Sequence, residues 1–204
     1  GGVLLCAENK SRNLHKLGEI YDHIGFAGVG KYNEFDQLRQ AGIRSADVKG
    51  YSYSREDVDA RSLANSYAQL VGQVFTHEMK PLEVEVLVAE VGVDQAEDQL
   101  FHILYDGTVI DEQGTSVLGG DADALSERLD STYDGGADLP TALQTAVAAL
   151  AGPGRTLGAA DLEVALLERG DQRRCFRRIR DQQLIDLLGP PALADPEPGP
   201  ATAE

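Results

Sequence analysis

Apolar and polar positions along the chain change rhythm several times, and each change predicts an element. Val3–Ala7 is a short apolar run between Gly1-Gly2 and the polar stretch Glu8-Asn9-Lys10-Ser11, and it reads as a strand. Leu17–Tyr21 and Ile24–Val29 are two further runs meeting at Asp22-His23, the pattern of paired strands with a tight connection. Gly25, Gly28 and Gly30 thin out the second run and point to close backbone approach there. From Tyr32 the period changes to that of a helix. Phe35, Leu38 and Ile43 can share one face, with Gly42 expected to interrupt or end it. Residues 44–56 are polar and turn-rich and predict a surface loop. The strongest signal follows. Leu63, Tyr67, Leu70, Val71, Val74 and Phe75 fall on one buried stripe of a helix of roughly five turns. Asp57 and Asp59 favour its N-terminal end, and Pro81 cannot continue it.

A second β block comes next. Leu82, Val84, Val86 and Val88 alternate with Glu83 and Glu85, as on a strand half-exposed at its start. Leu100–Tyr105 and Thr108–Ile110 read as strands about an Asp106-Gly107 turn. Ser116–Gly120 leads into two helices, about 122–133 and 140–151, the second opened by Pro140 and followed by Gly152-Pro153-Gly154. Strands Leu162–Leu167 and Arg174–Ile179 flank the turn Glu168-Arg169-Gly170-Asp171, and a short helix runs to Leu188. Strands and helices arrive in blocks without βαβ alternation. The expected class is α+β, with two antiparallel sheets face to face and pairs of helices on their outer faces. Residues 1–189 are expected to form one domain. From Pro190 the composition collapses to Pro, Ala, Gly and acid, so residues 190–204 are expected to be a disordered tail.

Composition narrows the function classes. A chain of 204 residues with 42% hydrophobic residues can bury a sizeable core. Its 34 acidic and 18 basic side chains give a net charge of −16, the wrong sign for nucleic acid or an anionic membrane surface. The longest apolar runs fall far short of the roughly 18 residues a membrane span needs. Cys6 and Cys175 make no disulfide framework and suit a reducing cytosol as small buried hydrophobes. No signal peptide precedes the first strand, so a cytoplasmic location is expected.

Candidate chemistry is sparse. His15, His23, His77 and His102 are scattered without His-x-x-x-His or Cys-x-x-Cys spacing, so no metal site and no cofactor are expected. Gly25-x-x-Gly28-x-Gly30 lacks the spacing and the βαβ setting of a dinucleotide fingerprint, and reads as tight turns at a strand–helix junction. The run Arg173–Arg180 carries five arginines. With Asp171 the segment 171–180 holds 5 − 1 = +4, leaving −16 − 4 = −20 for the rest. Strand period places Arg173, Cys175, Arg177 and Ile179 on one face and Arg174, Phe176 and Arg178 on the other. Basic residues on both faces suit a strand among acidic neighbours near a subunit boundary better than a nucleic-acid patch. Guanidinium groups could favour a thiolate at Cys175, but nothing in the sequence places a histidine base beside it, so a structural thiol is expected.

The constellation Gly2-Val3-Leu4-Leu5-Cys6-Ala7-Glu8, then Leu14-His15-Lys16-Leu17-Gly18-Glu19-Ile20-Tyr21-Asp22-His23-Ile24-Gly25-Phe26-Ala27-Gly28-Val29-Gly30, resembles the proteasome core. In that family a strand ending in an acid is followed by a lysine-containing strand, and a third strand ends in small residues before the first long helix. The match extends over about residues 1–189, and the first 90 residues are most similar to actinobacterial α-type subunits. The short polar loop Glu8–Lys16 and the Pro/Ala/acid tail agree with that.

The resemblance implies the four-layer αββα fold of N-terminal-nucleophile hydrolases. Catalytic β-type subunits use an N-terminal threonine with an acid and a lysine. Glu8 and Lys16 match the acid and the lysine, but no threonine precedes them, and the next, Thr76, falls in a predicted helix. The implied role is therefore a non-catalytic subunit. The alternative is a catalytic threonine peptidase whose nucleophile is missing. α-type subunits of the family form homoheptameric outer rings that cap the β rings, control entry of unfolded protein substrates, and dock the C-terminal tails of hexameric AAA ATPase activators. The family's further strand and its gating segment lie before the position of Gly1-Gly2, so the domain is expected to lack its N-terminal gate. Lys16 matches the lysine that receives the activator's terminal carboxylate. Gly30 and Lys31 match the other wall of that pocket, with Lys31 standing where an apolar residue is usual.

Overall fold

In chain order the elements are β1 (Gly2–Glu8), β2 (Leu17–Tyr21), β3 (Ile24–Gly30), α1 (Tyr32–Ser52), α2 (Ala60–His77), β4 (Val84–Glu90), β5 (Gln99–Ile103), β6 (Val109–Glu112), α3 (Ala122–Asp130), α4 (Leu139–Ala151), β7 (Leu162–Glu168), β8 (Phe176–Ile179) and α5 (Asp181–Leu188). They come from a computed structural model that describes residues 1–189. The tail expected over 190–204 lies outside the described residues.

Alternation along the strands sorts the side chains into layers. Strands β2 to β6 form a five-stranded antiparallel sheet in sequence order, and β1, β7 and β8 form a three-stranded one in the order β1-β7-β8. On the first sheet Phe26, Val86, Val88, Phe101 and Ile103 pack against Phe35 and Leu38 of α1 and Leu63, Tyr67 and Val71 of α2. Its opposite face, with Leu87, Ala89 and Leu100, meets Leu5, Ala165 and Leu167 of the second sheet. The outer face of that second sheet, with Val164, Leu166 and Ile179, packs on Leu143 and Val147 of α4 and Leu184 of α5. Three apolar interfaces thus hold four layers, and the αββα sandwich expected from the block order is the fold observed.

Helix α1 departs from expectation. It runs unbroken through Gly42 and through most of the segment expected to be a loop. A Cβ at Gly42 would lie 1.8 Å from the Tyr67 hydroxyl of α2, so this glycine marks where two helices close together and not where one ends. Gly50 does the same against the Tyr21 hydroxyl, at 2.1 Å. The inner side of this half-helix is Ala46 and glycine, too small to register as an apolar stripe.

Helix α2 begins where Asp59 caps it, accepting from the Ser62 N–H at 2.7 Å. Its buried stripe is Ala60, Leu63, Ala64, Tyr67 and Val71. Leu70 and Phe75, expected inside, are 39% and 44% exposed. They lie on the flank of the stripe, and Phe75 packs edge-on against Tyr105 of the β5–β6 turn, beyond the strands themselves. The last strand also starts later than expected, at Phe176. Cys175 therefore joins the apolar layer between the sheets and does not share a face with Ile179. Among the described residues no helix is long and apolar enough to cross a membrane.

Candidate functional site

Lys16 closes the polar loop between β1 and β2, and the loop's own side chains set its shape. The Ser11 hydroxyl accepts the N–H of Leu14 at 3.0 Å, and the Asn9 amide donates to the Leu14 carbonyl at 2.8 Å. The Lys16 carbonyl accepts the Gly28 N–H at 2.9 Å, tying the loop end to β3. The ammonium of Lys16 donates to the backbone carbonyl of Glu8 at 2.9 Å. The Glu8 carboxylate turns away to Arg155, at 2.8 Å. Lys31, Lys49 and Lys80 each hold a carboxylate within 4 Å. Among the described residues no carboxylate lies that close to the Lys16 ammonium.

Gly30 and Lys31 occupy the junction of β3 and α1, at the same end of the sheet. Strand register places Gly30 two residues beyond the Gly28–Lys16 bond, on the order of 7 Å along β3. Gly30 has φ of +103°, and a Cβ there would lie 2.1 Å from the Glu83 carbonyl oxygen, so only glycine fits. Lys31 is the N-cap residue of α1, and its ammonium pairs with Glu34 at 3.2 Å. Its charge is already matched, whereas Lys16, like Lys10 and Arg12 of the same loop, has no carboxylate within 4 Å among the described residues. Gly25 and Gly28 lie within β3, which has antiparallel partners on both sides, so the glycine pattern forms no βαβ phosphate cradle.

The residue that organises this region has no signature in the sequence reading. Glu163, near the start of β7, turns its carboxylate into the β1–β2 loop. Its Oε2 accepts from the Asn9 amide at 2.7 Å and from the Lys16 N–H at 2.8 Å. Its Oε1 accepts from the Leu17 N–H at 3.3 Å and from the Arg178 guanidinium, with His15 Nδ1 3.2 Å away. Burial pushes this carboxyl up, but the bonds from Asn9, Lys16 and Arg178 outweigh it and hold it below the ordinary carboxylate range. The one available signal was a lone acid inside the apolar run Leu162–Leu167, facing an arginine-rich strand.

Four of the five arginines in the run are matched within the chain, and Arg180 is exposed at the start of α5. Arg174 grips Glu19 at 2.8 Å, Arg177 meets Glu168 at 3.0 Å, Arg178 meets Glu163, and Arg173 is 4.0 Å from Asp22. A groove of about 410 Å3 opens between α1, β2 and β8, with Arg39, Arg174 and Arg178 in its wall, but Arg39 is also paired, to Asp36. The acidic neighbours expected for this strand include four of its own chain's carboxylates, so among the described residues most of the run's charge is already matched.

Cys175 does have a histidine beside it, which the sequence did not disclose: His23 Nδ1 lies 3.0 Å from its sulfur. Burial, then the charges of Asp22 and Glu168, push the thiol up, so Cys175 is not an activated thiolate. Burial raises the Cys6 thiol to about 12. Thr76 donates to the Gly72 carbonyl inside α2. Among the described residues, no three His, Cys, Asp or Glu side chains are arranged to hold a metal ion.

Comparison with known proteins identifies the family. The family model described as proteasome subunit matches residues 1–160. The proteasome subunit alpha of Acidimicrobium ferrooxidans is 62% identical over 189 residues, covering 93% of this chain and 82% of the relative. That of Sanguibacter keddieii is 51% identical, covering 98% and 82%. That of Salinispora tropica is 49% identical, covering 100% and 80%. A family match over most of the chain, relatives 49–62% identical over nearly all of it, and an αββα sandwich lead to one conclusion: the chain belongs to the proteasome subunit family, among its α-type members.

Proposed function

We propose that this chain is a non-catalytic ring subunit of a bacterial proteasome core in the cytoplasm. Copies of it form a heptameric outer ring that caps the proteolytic β rings and passes unfolded protein substrates inward. Lys16 is the docking residue for the C-terminal carboxylate of a hexameric AAA ATPase activator, and Gly30 and Lys31 form the facing wall. The observation that carries the docking role is the Lys16 ammonium, held by one backbone carbonyl and no carboxylate. Such a group has hydrogen-bonding capacity and charge to spare for an incoming anion. A charge-assisted bond of this kind contributes about 1.5–3 kcal/mol per site, and identical sites around a ring add avidity. The non-catalytic reading is supported by the separation of Glu8 from Lys16: the acid serves Arg155, so the lysine lacks the carboxylate partner that the threonine-peptidase arrangement requires.

The test is Lys16→Ala in the assembled core. Ring assembly is expected to persist, while activator-stimulated degradation falls about tenfold or more at subsaturating activator, the loss of one such bond per site. Unchanged stimulation would remove the docking role.

A further inference from the structure

A lysine on the polar loop over residues 9–16 makes a poor docking point unless something fixes the loop. Three donors from that region and one from the facing strand converge on a single carboxylate. Asn9 Nδ2, Lys16 N and Leu17 N come from the β1–β2 segment and Arg178 from β8, with His15 Nδ1 3.2 Å from the same carboxylate. A carboxylate offers about four lone-pair directions, so this one is saturated. Its side chain is only 10% exposed, so each contact replaces water that is no longer available.

We propose that Glu163 is the positioning residue of the Lys16 docking site, an inference that rests on the docking reading of Lys16. Glu163 fixes the main chain of Lys16 directly, through its N–H. It also closes the loop, because the Asn9 amide that reaches Glu163 also holds the Leu14 carbonyl. Arg178 completes the device. It matches the charge of Glu163 and donates its second nitrogen to the Leu17 carbonyl at 2.6 Å. With that charge matched, the Lys16 ammonium is not drawn inward to the glutamate. It stays on the Glu8 carbonyl, at the loop surface. Because β7 belongs to one sheet and β2 to the other, the carboxylate also ties docking geometry to the packing of the two sheets.

The experiment uses assembled core particles carrying wild-type chain, Lys16→Ala, Glu163→Gln, or both. The probe is a synthetic peptide with a free C-terminal carboxylate, run beside its C-terminally amidated form, with binding followed by fluorescence anisotropy. Glu163→Gln is expected to weaken the free-carboxylate peptide about five- to tenfold and leave the amidated one unaffected. The double variant is expected to bind no more weakly than Lys16→Ala alone, since both substitutions remove one function. With the intact activator, Glu163→Gln should raise the half-saturating activator concentration and retain the rate at saturation. A lower rate at saturation with unchanged half-saturation would mark a merely structural role and overturn the proposal. Additive losses in the double variant would also overturn it. So would a Glu163→Gln particle that binds the peptide normally while Lys16→Ala does not, an outcome that leaves the docking reading standing. If Lys16→Ala itself binds normally, the docking reading fails and takes this inference with it. Should Glu163→Gln fail to assemble, Asn9→Ala removes one of the same contacts from the loop side and is judged by the same criteria.

Discussion

Glu163 and His102 both face the layer between the sheets, and they are served very differently. Glu163 on β7 is met by an amide, two backbone N–H groups and a guanidinium, with a histidine nitrogen also in reach. His102 on β5 is as deeply buried, yet its Nε2 has no hydrogen-bond partner. Glu85 on β4 stands 3.4 Å from that nitrogen and Glu112 on β6 stands 3.7 Å from the other, both half-buried and open to water. The same layer therefore contains a completed polar network and an incomplete one. The complete one lies beside the loop that carries Lys16. A saturated buried anion fixes everything that donates to it, and a loosely flanked histidine fixes little.

The largest effect should come from breaking the complete network outright. Glu163→Ala strands Arg178 and two loop N–H groups, and should cost about 3–5 kcal/mol in chemical denaturation, the range for an uncompensated buried charge. The pH dependence has a definite sign. The Glu163 carboxyl is held below its ordinary value of 4.5, so its contribution is full above that pH. It is lost as pH falls through the lower folded value. Acid titration of stability should show this component in the wild type and not in Glu163→Gln. Equal acid sensitivity in the two would place the network elsewhere.

His102→Leu should be far milder, within about 1 kcal/mol, because it removes a buried nitrogen that lacks a partner and leaves two solvated carboxylates. A loss as large as that of Glu163→Ala would abolish the contrast and make the Glu85–His102–Glu112 cluster a second anchor. Smallest of all should be Arg174→Ala. Arg174 precedes the strand that carries Arg178, but its side chain is 68% exposed, so an ion pair with Glu19 should contribute no more than about 0.5–1 kcal/mol. Thermal unfolding of the two variants side by side tests this ranking.

What the sequence discloses follows the same physics. The sheets were legible because alternating Val, Leu and Ile have large side chains on defined faces, and the helix order followed from caps and breakers such as Asp59 and Pro140. The second half of α1 was hidden because its inner face is built from Ala46, Gly42 and Gly50, whose contribution is closeness and not bulk. Lys16 could be proposed from the order of short motifs around it. Glu163 was not, since the backbone N–H it holds belongs to a residue 147 positions away, and no local pattern announces such a contact. The arginine run misled in part for the same reason: its partners Glu19, Asp22 and Glu163 are scattered in sequence and gathered only by the fold.

The central claim, that this is a ring subunit of a proteasome core and not an independent hydrolase or binding module, is tested most directly by native mass spectrometry. The full-length chain is measured alone and after co-expression with a β-type partner. The account predicts a stable assembly containing seven-membered rings of this chain bound to β subunits. A chain that remains monomeric in both samples, with no β subunit attached, would contradict it.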